Sequence, residues 1–267
     1  MSLFEQEGGV IELGSDPNIE LRGNNQSPGI DPFSNIDEIQ KSRGIKTLVY
    51  GRPATAKTHF SLTGIPPLYV IDSERAVTLL RDKFPEKKIF VLEAYESKPE
   101  EADRDDVAVY ERIVSAVNFL YNKKIEGGTV VMDSISDFWK VCQNYAKTKI
   151  FKIKKSDRLR QQWDWGVINS LYNDIIFKLL HMNCDVILCA RASQDYAGAG
   201  QPTDEWSPNC QKDTEYLVDV VLYMKKIVKN KQSIFISEIE KCRKLGTLIG
   251  QEFESLTISK LKELMGV

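Results

Sequence analysis

The chain has 267 residues, 42% of them apolar, and a formal charge of −2, enough to bury one large core without requiring two domains. That charge excludes a wholly basic nucleic-acid binder, so any such contact must be local. Five cysteines, Cys142, Cys184, Cys189, Cys210 and Cys242, lie far apart without a C-x-x-C pair, which disfavours a zinc site or a disulfide framework and favours reduced thiols in an intracellular protein.

No signal-peptide pattern and no apolar run of bilayer length is visible, so a cytoplasmic location without membrane contact is expected. Residues 1–44 are rich in Gly, Asn, Asp, Pro and Ser and poor in apolar side chains. Such a segment cannot form a core of its own. It is either a flexible tail or an arm docking on a neighbour, with Phe33 and Ile36 either making that contact or packing onto their own domain, leaving residues 45–267 as the folded domain.

The run from Thr47 to Thr58, TLVYGRPATAKT, is an apolar strand entering a Gly-led loop that ends in Lys-Thr where a helix over 58–63 should begin. This is the pattern of a phosphate-binding loop. Backbone N–H groups of Gly51, Arg52, Ala54, Thr55 and Ala56 and of the first helical turn, Lys57 to His59, would line the site around the phosphates, with Pro53 shaping the same loop. Lys57 would reach the β and γ phosphates, and the Thr58 hydroxyl would ligate Mg²⁺. Ala56 stands where a second Gly is usual; its Cβ costs little at negative φ and more at positive φ. The alternative is a Gly-Pro turn with an incidental Lys-Thr.

Two later runs reduce that alternative. LYVIDSE at 68–74 and TVVMDS at 129–134 are short apolar strands ending in carboxylates, as strands buried on both faces of a parallel sheet do. Their ends would meet at the edge where open α/β sheets bind ligands. Asp133, supported by Ser134, would hold the metal, and Glu74 would orient and deprotonate water. Helices are expected over 74–83, 107–122, 138–149 and 163–180. An acidic loop is expected over 93–106, and a core strand around 185–189. Trp163 and Trp165, two apart, cannot share a helix face; one should be core and the other a surface or subunit contact. His59 and His181 have no ligand spacing around them and carry no metal argument.

Residues 147–160 hold Lys147, Lys149, Lys152, Lys154, Lys155, Arg158 and Arg160 against a single Asp157, interleaved with Ile150, Phe151 and Ile153. Such a segment either tracks a phosphate backbone while an aromatic ring stacks on a base, or is a solvated helix end. Residues 191–214 read as a long polar loop, in which Arg191 has Asp204 and Glu205 as candidate partners. Residues 233–240 alternate as a strand should, and Lys241 and Arg243 follow at alternate positions.

The order of these motifs resembles the RecA-type ATPase core, in which the catalytic Glu follows the second strand and not the magnesium Asp. It is similar to small AAA-type nucleotide-binding proteins of phages and archaeal viruses, some of which act in single-strand annealing and recombination. The matching residues are Gly51, Lys57, Thr58, Asp72, Glu74, Asp133 and Ser134, the WDWG at Trp163, and the strand LVDVVLYM near Asp219. GRPATAKT also resembles the loop of minichromosome maintenance helicases, which carry Ala in place of the second Gly and use ATP. The resemblance covers roughly 45–262. It implies an α/β fold with a mainly parallel sheet, helices on both faces and a short C-terminal β-rich extension. It further implies Mg²⁺-dependent ATP hydrolysis on single-stranded DNA by a homo-oligomer, ring or filament, in a virus, plasmid or prokaryote. Arg191 would stand nearest the family's γ-phosphate sensor, where RecA carries Gln, and contact phosphate, and Lys241 and Arg243 would match a Lys-x-Arg pair that reaches into a neighbour's ATP in KaiC-like hexamers, or else form a basic surface turn. Two other classes stay open: a KaiC-like nucleotide-gated assembly protein without DNA affinity, and a module that binds ATP without turnover.

Overall fold

The computed structural model of the chain describes residues 36, 43–95, 105–159, 161–197 and 201–267. The expectations for Phe33, for Arg160 and for the middle of the acidic loop at 96–104 lie outside the described residues, as does nearly all of the N-terminal segment; Ile36 is exposed.

Among the described residues, nine strands make one sheet in the order β3-β2-β4-β5-β1-β7-β8-β9, with β6 pairing β5 off that path. They are β1 (Lys46–Gly51), β2 (Leu68–Asp72), β3 (Ile89–Glu93), β4 (Glu126–Asp133), β5 (Asn183–Ala197), β6 (Gln201–Pro208), β7 (Val220–Lys229), β8 (Gln232–Cys242) and β9 (Glu252–Glu254). Pairing is parallel from β3 to β7 and antiparallel from β7 to β9. The helices are α1 (Lys57–Leu62), α2 (Asp106–Asn122), α3 (Ile135–Tyr145), α4 (Trp163–Leu180), α5 (Thr214–Leu217) and α6 (Ile258–Met265). This is the expected α/β arrangement, a mainly parallel sheet with helices on both faces and a β-rich C-terminal extension, and α6 closes that extension as a helix.

The central strands are apolar throughout because both faces are covered. Leu48, Tyr50, Val130, Met132, Val186 and Leu188 face a core made with α2, α3 and α4, including Ile113, Val117, Phe138, Ile168 and Tyr172. The residues between them, Val49, Val131 and Ile187, face a second core with Phe60 and Leu62 of α1 and Ile258, Leu261 and Met265 of α6. Period-2 alternation therefore divides each strand between two cores. Among the described residues no helix is long and apolar enough to cross a membrane.

Three expectations change. The helix over 74–83 is a 3₁₀ helix at Thr78–Lys83 only. The buried Asp72 carboxylate accepts from the N–H groups of Glu74 and Val77, at 2.9 and 3.0 Å, and Arg75 has φ 57°, a turn geometry that delays helix entry. Residues 191–197 and 201–208 pair as the antiparallel strands β5 and β6 in place of a loop, held by Gln194 donating to the Thr203 carbonyl and Ser207 to Asp195. Trp163 and Trp165 are both exposed. The inward position of that first turn belongs to Asp164, which is buried and accepts from the N–H of Gln161.

Candidate functional site

The site grows from the C-terminal ends of β1, β2, β4 and β5. Gly51 ends β1 beside Met224 of β7, so close that a Cβ would collide with the Met224 carbonyl and the Thr55 hydroxyl. Only Gly allows the chain to turn there. The loop then passes through Ala54 (φ 61°) and Ala56 (φ 68°, ψ 26°), both left-handed, and Thr55 ties it by donating to the Arg52 carbonyl at 2.8 Å. The positive φ at Ala56 is the costlier of the two cases the sequence left open. Lys57 folds back over this loop, its Nζ donating to the Gly51 and Arg52 carbonyls at 3.0 and 3.1 Å.

Behind Lys57, the Thr58 hydroxyl donates to Asp133 Oδ2 at 2.6 Å. Asp133 is 1% exposed. Burial pushes its carboxyl up to about 6, opposed by the Thr58 hydrogen bond and aided by the charges of Glu74 and Asp72. A hydroxyl and a buried carboxylate in contact are hard oxygen donors, and a carboxylate deprived of water gains from a cation. These two residues fit Mg²⁺. Ser134, expected to support them, instead caps α3 by accepting from the Asp137 N–H.

Glu74 stands at the mouth of the site. Its Oε1 accepts from both Nε and Nη2 of Arg191, at 3.0 and 2.8 Å, and the same Nη2 reaches Asp137 Oδ2 at 2.8 Å. Arg191 therefore pairs with neither Asp204 nor Glu205; its position at the end of the central β5, and not its sequence neighbours, chooses its partners. Asp137 was not anticipated as a site residue. It also accepts from the Ser73 hydroxyl at 2.9 Å, and Ser73 accepts from the Ser134 N–H. The Ser134-x-x-Asp137 spacing is a capping-box signal that could have found it.

These groups open into a cavity of about 1370 Å³ lined by Pro53 to Phe60, Ser73 to Ala76, Asp137 and Arg191. Gly51, Arg52, Asp133 and Ser134 lie around its base and are not in its lining. His59 lines it with its ring 5.1 Å from that of Phe84, and burial, then Lys83, lowers the imidazole pKa. The lining also takes in Met224, the last residue of LVDVVLYM, and Lys226, Phe235, Ser237 and 255–257, which no sequence motif announced.

The paired strands β5 and β6 are fastened to the loop. The Arg52 guanidinium lies 5.1 Å from the Trp206 ring centroid, and the Tyr50 hydroxyl bonds the Trp206 carbonyl and Glu240.

The other candidate cations lie elsewhere. Lys241 is in register with Val221, at the opposite edge of the sheet, where its Nζ donates to the carbonyls of Glu215, Tyr216 and Val218. Arg243 bonds the Tyr216 carbonyl and Asp219. Both hold the end of α5, and the cavity lining does not include them. In the basic segment, Lys149, Lys152, Lys154 and Arg158 are exposed. Lys147 donates to the Lys155 carbonyl, and Lys155 pairs with Asp106 at 3.0 Å. Phe151 packs edge-on to Trp163, 6.1 Å between centroids.

A family model described as AAA domain matches residues 43–245. No curated protein matches the chain. Among solved structures, a KaiC-like protein from the hyperthermophilic archaeon Pyrococcus horikoshii OT3 aligns at 19% identity with a TM-score of 0.44, covering 79% of this chain and 85% of that one.

Proposed function

This chain belongs to the AAA-domain family of P-loop ATPases, and from that premise we propose that it binds ATP with Mg²⁺ and hydrolyses it in the service of a DNA transaction. The observation that carries the reading is the 2.6 Å bond between Thr58 and the buried Asp133, set directly behind Lys57. Thr58 and Asp133 would hold Mg²⁺, which supplies charge neutralisation on the phosphate oxygens. Lys57 exchanges the Gly51 and Arg52 carbonyls for phosphate oxygens, a mobile ammonium suited to that exchange. Glu74 accepts the proton of the attacking water at a carboxylate oxygen. At rest that carboxylate is occupied by Arg191, so a γ-phosphate that draws Arg191 away both gains a cation and frees the base.

Turnover measured on wild type, Lys57→Ala and Glu74→Gln, with and without single-stranded DNA, tests this. Either substitution should slow hydrolysis by about 100-fold or more, Glu74→Gln without loss of nucleotide affinity. Binding without turnover in wild type would leave an ATP-binding module and retire the catalytic reading.

For the polynucleotide, the supporting observation is the exposed set Lys149, Lys152, Lys154 and Arg158 beside Phe151 and the exposed Trp163. Cations would track phosphates while a ring stacks on a base, in single-strand annealing or recombination by a homo-oligomer. Neutralising three of the four should flatten the dependence of binding on salt. ATP-dependent assembly with no DNA affinity would favour the KaiC-like reading instead.

A further inference from the structure

The cavity is larger than the phosphate loop needs, and its far part is built by the antiparallel extension. β7 runs beside β1 with Met224 opposite Gly51. β8 returns with Ser237 opposite Met224 and Phe235 opposite Lys226, so these four side chains share one face of the sheet. One wall is the segment 255–257. It is pinned on one side by the Ser255 N–H donating to the Phe235 carbonyl at 2.9 Å, and on the other by the Ile258 N–H donating to the Thr63 hydroxyl at the end of α1, also 2.9 Å. Thr257 then caps α6. The result is a groove that begins at the phosphate loop and is fixed by three separate elements.

Its polar and aromatic content is specific. Ser237 is 1% exposed, yet its hydroxyl has no hydrogen-bond partner among the described residues. A buried hydroxyl left unpaired is unfavourable, and such a group beside a cavity is satisfied by whatever fills it. A hydroxyl both donates and accepts, and χ1 has three staggered settings through which it can meet a ligand. Phe235 is half-buried, with ring surface left at the cavity. Lys226, exposed at the rim, offers donors only.

We propose that this groove is the nucleoside seat of the site: a purine base lies against Phe235, its polar edge takes the Ser237 hydroxyl, and Lys226 closes the open end. β8 lies two strand spacings, about 10 Å, from β1, a gap that a ribose spans between phosphate and base. The inference rests on the phosphate-loop reading, and makes the C-terminal extension the part of the fold that distinguishes a nucleotide from its phosphates.

Titration calorimetry on the full chain with Mg²⁺ tests it, using ATP, CTP and inorganic tripolyphosphate as probes. Wild type should bind ATP more tightly than either of the others. Phe235→Ala should weaken ATP by about tenfold or more and Ser237→Ala by about three- to tenfold, with tripolyphosphate unchanged in both. Ser237→Ala removes an unpaired hydroxyl and should melt no lower than wild type. Lys57→Ala should weaken ATP and tripolyphosphate together. ATP affinity unchanged in both groove variants while Lys57→Ala loses it overturns the nucleoside seat and leaves the phosphate loop standing. Equal loss of ATP and tripolyphosphate in the groove variants, or wild-type binding of tripolyphosphate as tight as ATP, also overturns it. Wild type that binds neither overturns both readings.

Discussion

The two edges of the parallel sheet carry the same kinds of residue and treat them in opposite ways. At the N-terminal edge, the fully buried Lys46 donates its ammonium to the carbonyls of Met182 and Cys184, at 2.7 and 2.6 Å. Asp219 takes Arg43, Arg243 and the Lys46 N–H, and Asp185 takes Lys262 and the Ile45 N–H. Every one of these charges is satisfied inside the protein. At the C-terminal edge, the buried Asp133 has one side-chain partner among the described residues, the Thr58 hydroxyl, and Lys57 rests on carbonyls it can leave. Buried charge with complete partners is architecture; buried charge with incomplete partners in front of a cavity is a binding site.

The comparison is broken most severely at the first edge. Asp185→Ala leaves the Ile45 N–H without its acceptor and Lys262 unpaired, and should cost about 3–5 kcal/mol in urea unfolding, while nucleotide affinity per folded molecule stays at the wild-type value. An equal loss of affinity would mean that the two edges are not independent.

Asp133→Asn should act in the reverse sense. The folded carboxyl binds its proton more tightly than an unfolded one, with a pKa of about 6 against an ordinary 3.8. Wild-type stability without ligand is therefore favoured below pH 4 and falls as pH rises through about 6, by about 3 kcal/mol in all. Replacing the acid removes this slope, so the variant should melt higher than wild type at pH 8 and bind Mg²⁺-nucleotide poorly. Parallel melting curves across pH 4–8 would contradict the cause assigned to that pKa. At the mouth, the Arg191–Glu74 pair is about half exposed on the arginine side and should be worth no more than about 1 kcal/mol. Arg191→Gln also takes the cation from the buried Asp137, so it should lower stability by more than that pair alone while weakening nucleotide triphosphate more than diphosphate.

What was legible in the sequence was local. The strand, loop and helix from Lys46 to Leu62 are contiguous, so their chemistry and their geometry are written side by side, and α4 lies where its apolar spacing puts it. The Glu74–Arg191 contact joins positions 117 apart, and depends on β4 separating β2 from β5 in the sheet. Nothing near Arg191 encodes that order, and the nearby acids Asp204 and Glu205 were the natural partners to name. The pairing of β5 with β6 was hidden for a related reason: the polar residues of 191–197 and 201–208 match a loop by composition, and only cross-strand pairing makes them strands. Lys226, Phe235 and Ser237 are ordinary strand residues until β7 and β8 place them beside Gly51.

Ala56 is where sequence and structure together make a sharper statement than either alone. The loop pattern expects Gly there, and the backbone at φ 68° and ψ 26° is what Gly adopts without strain. A Cβ in that conformation costs about 1–2 kcal/mol, and the greater freedom of Gly in the unfolded chain returns about 0.5–1 kcal/mol of that. Ala56→Gly should therefore stabilise the fold by about 0.5–1 kcal/mol, which for a domain of this size is a melting rise of a few degrees. Gly51→Ala should do the opposite, because there the obstacle is the Met224 carbonyl and not φ. A lower melting temperature for Ala56→Gly would mean that the free loop holds Ala56 at negative φ, and that the left-handed turn forms only when phosphate draws the loop closed.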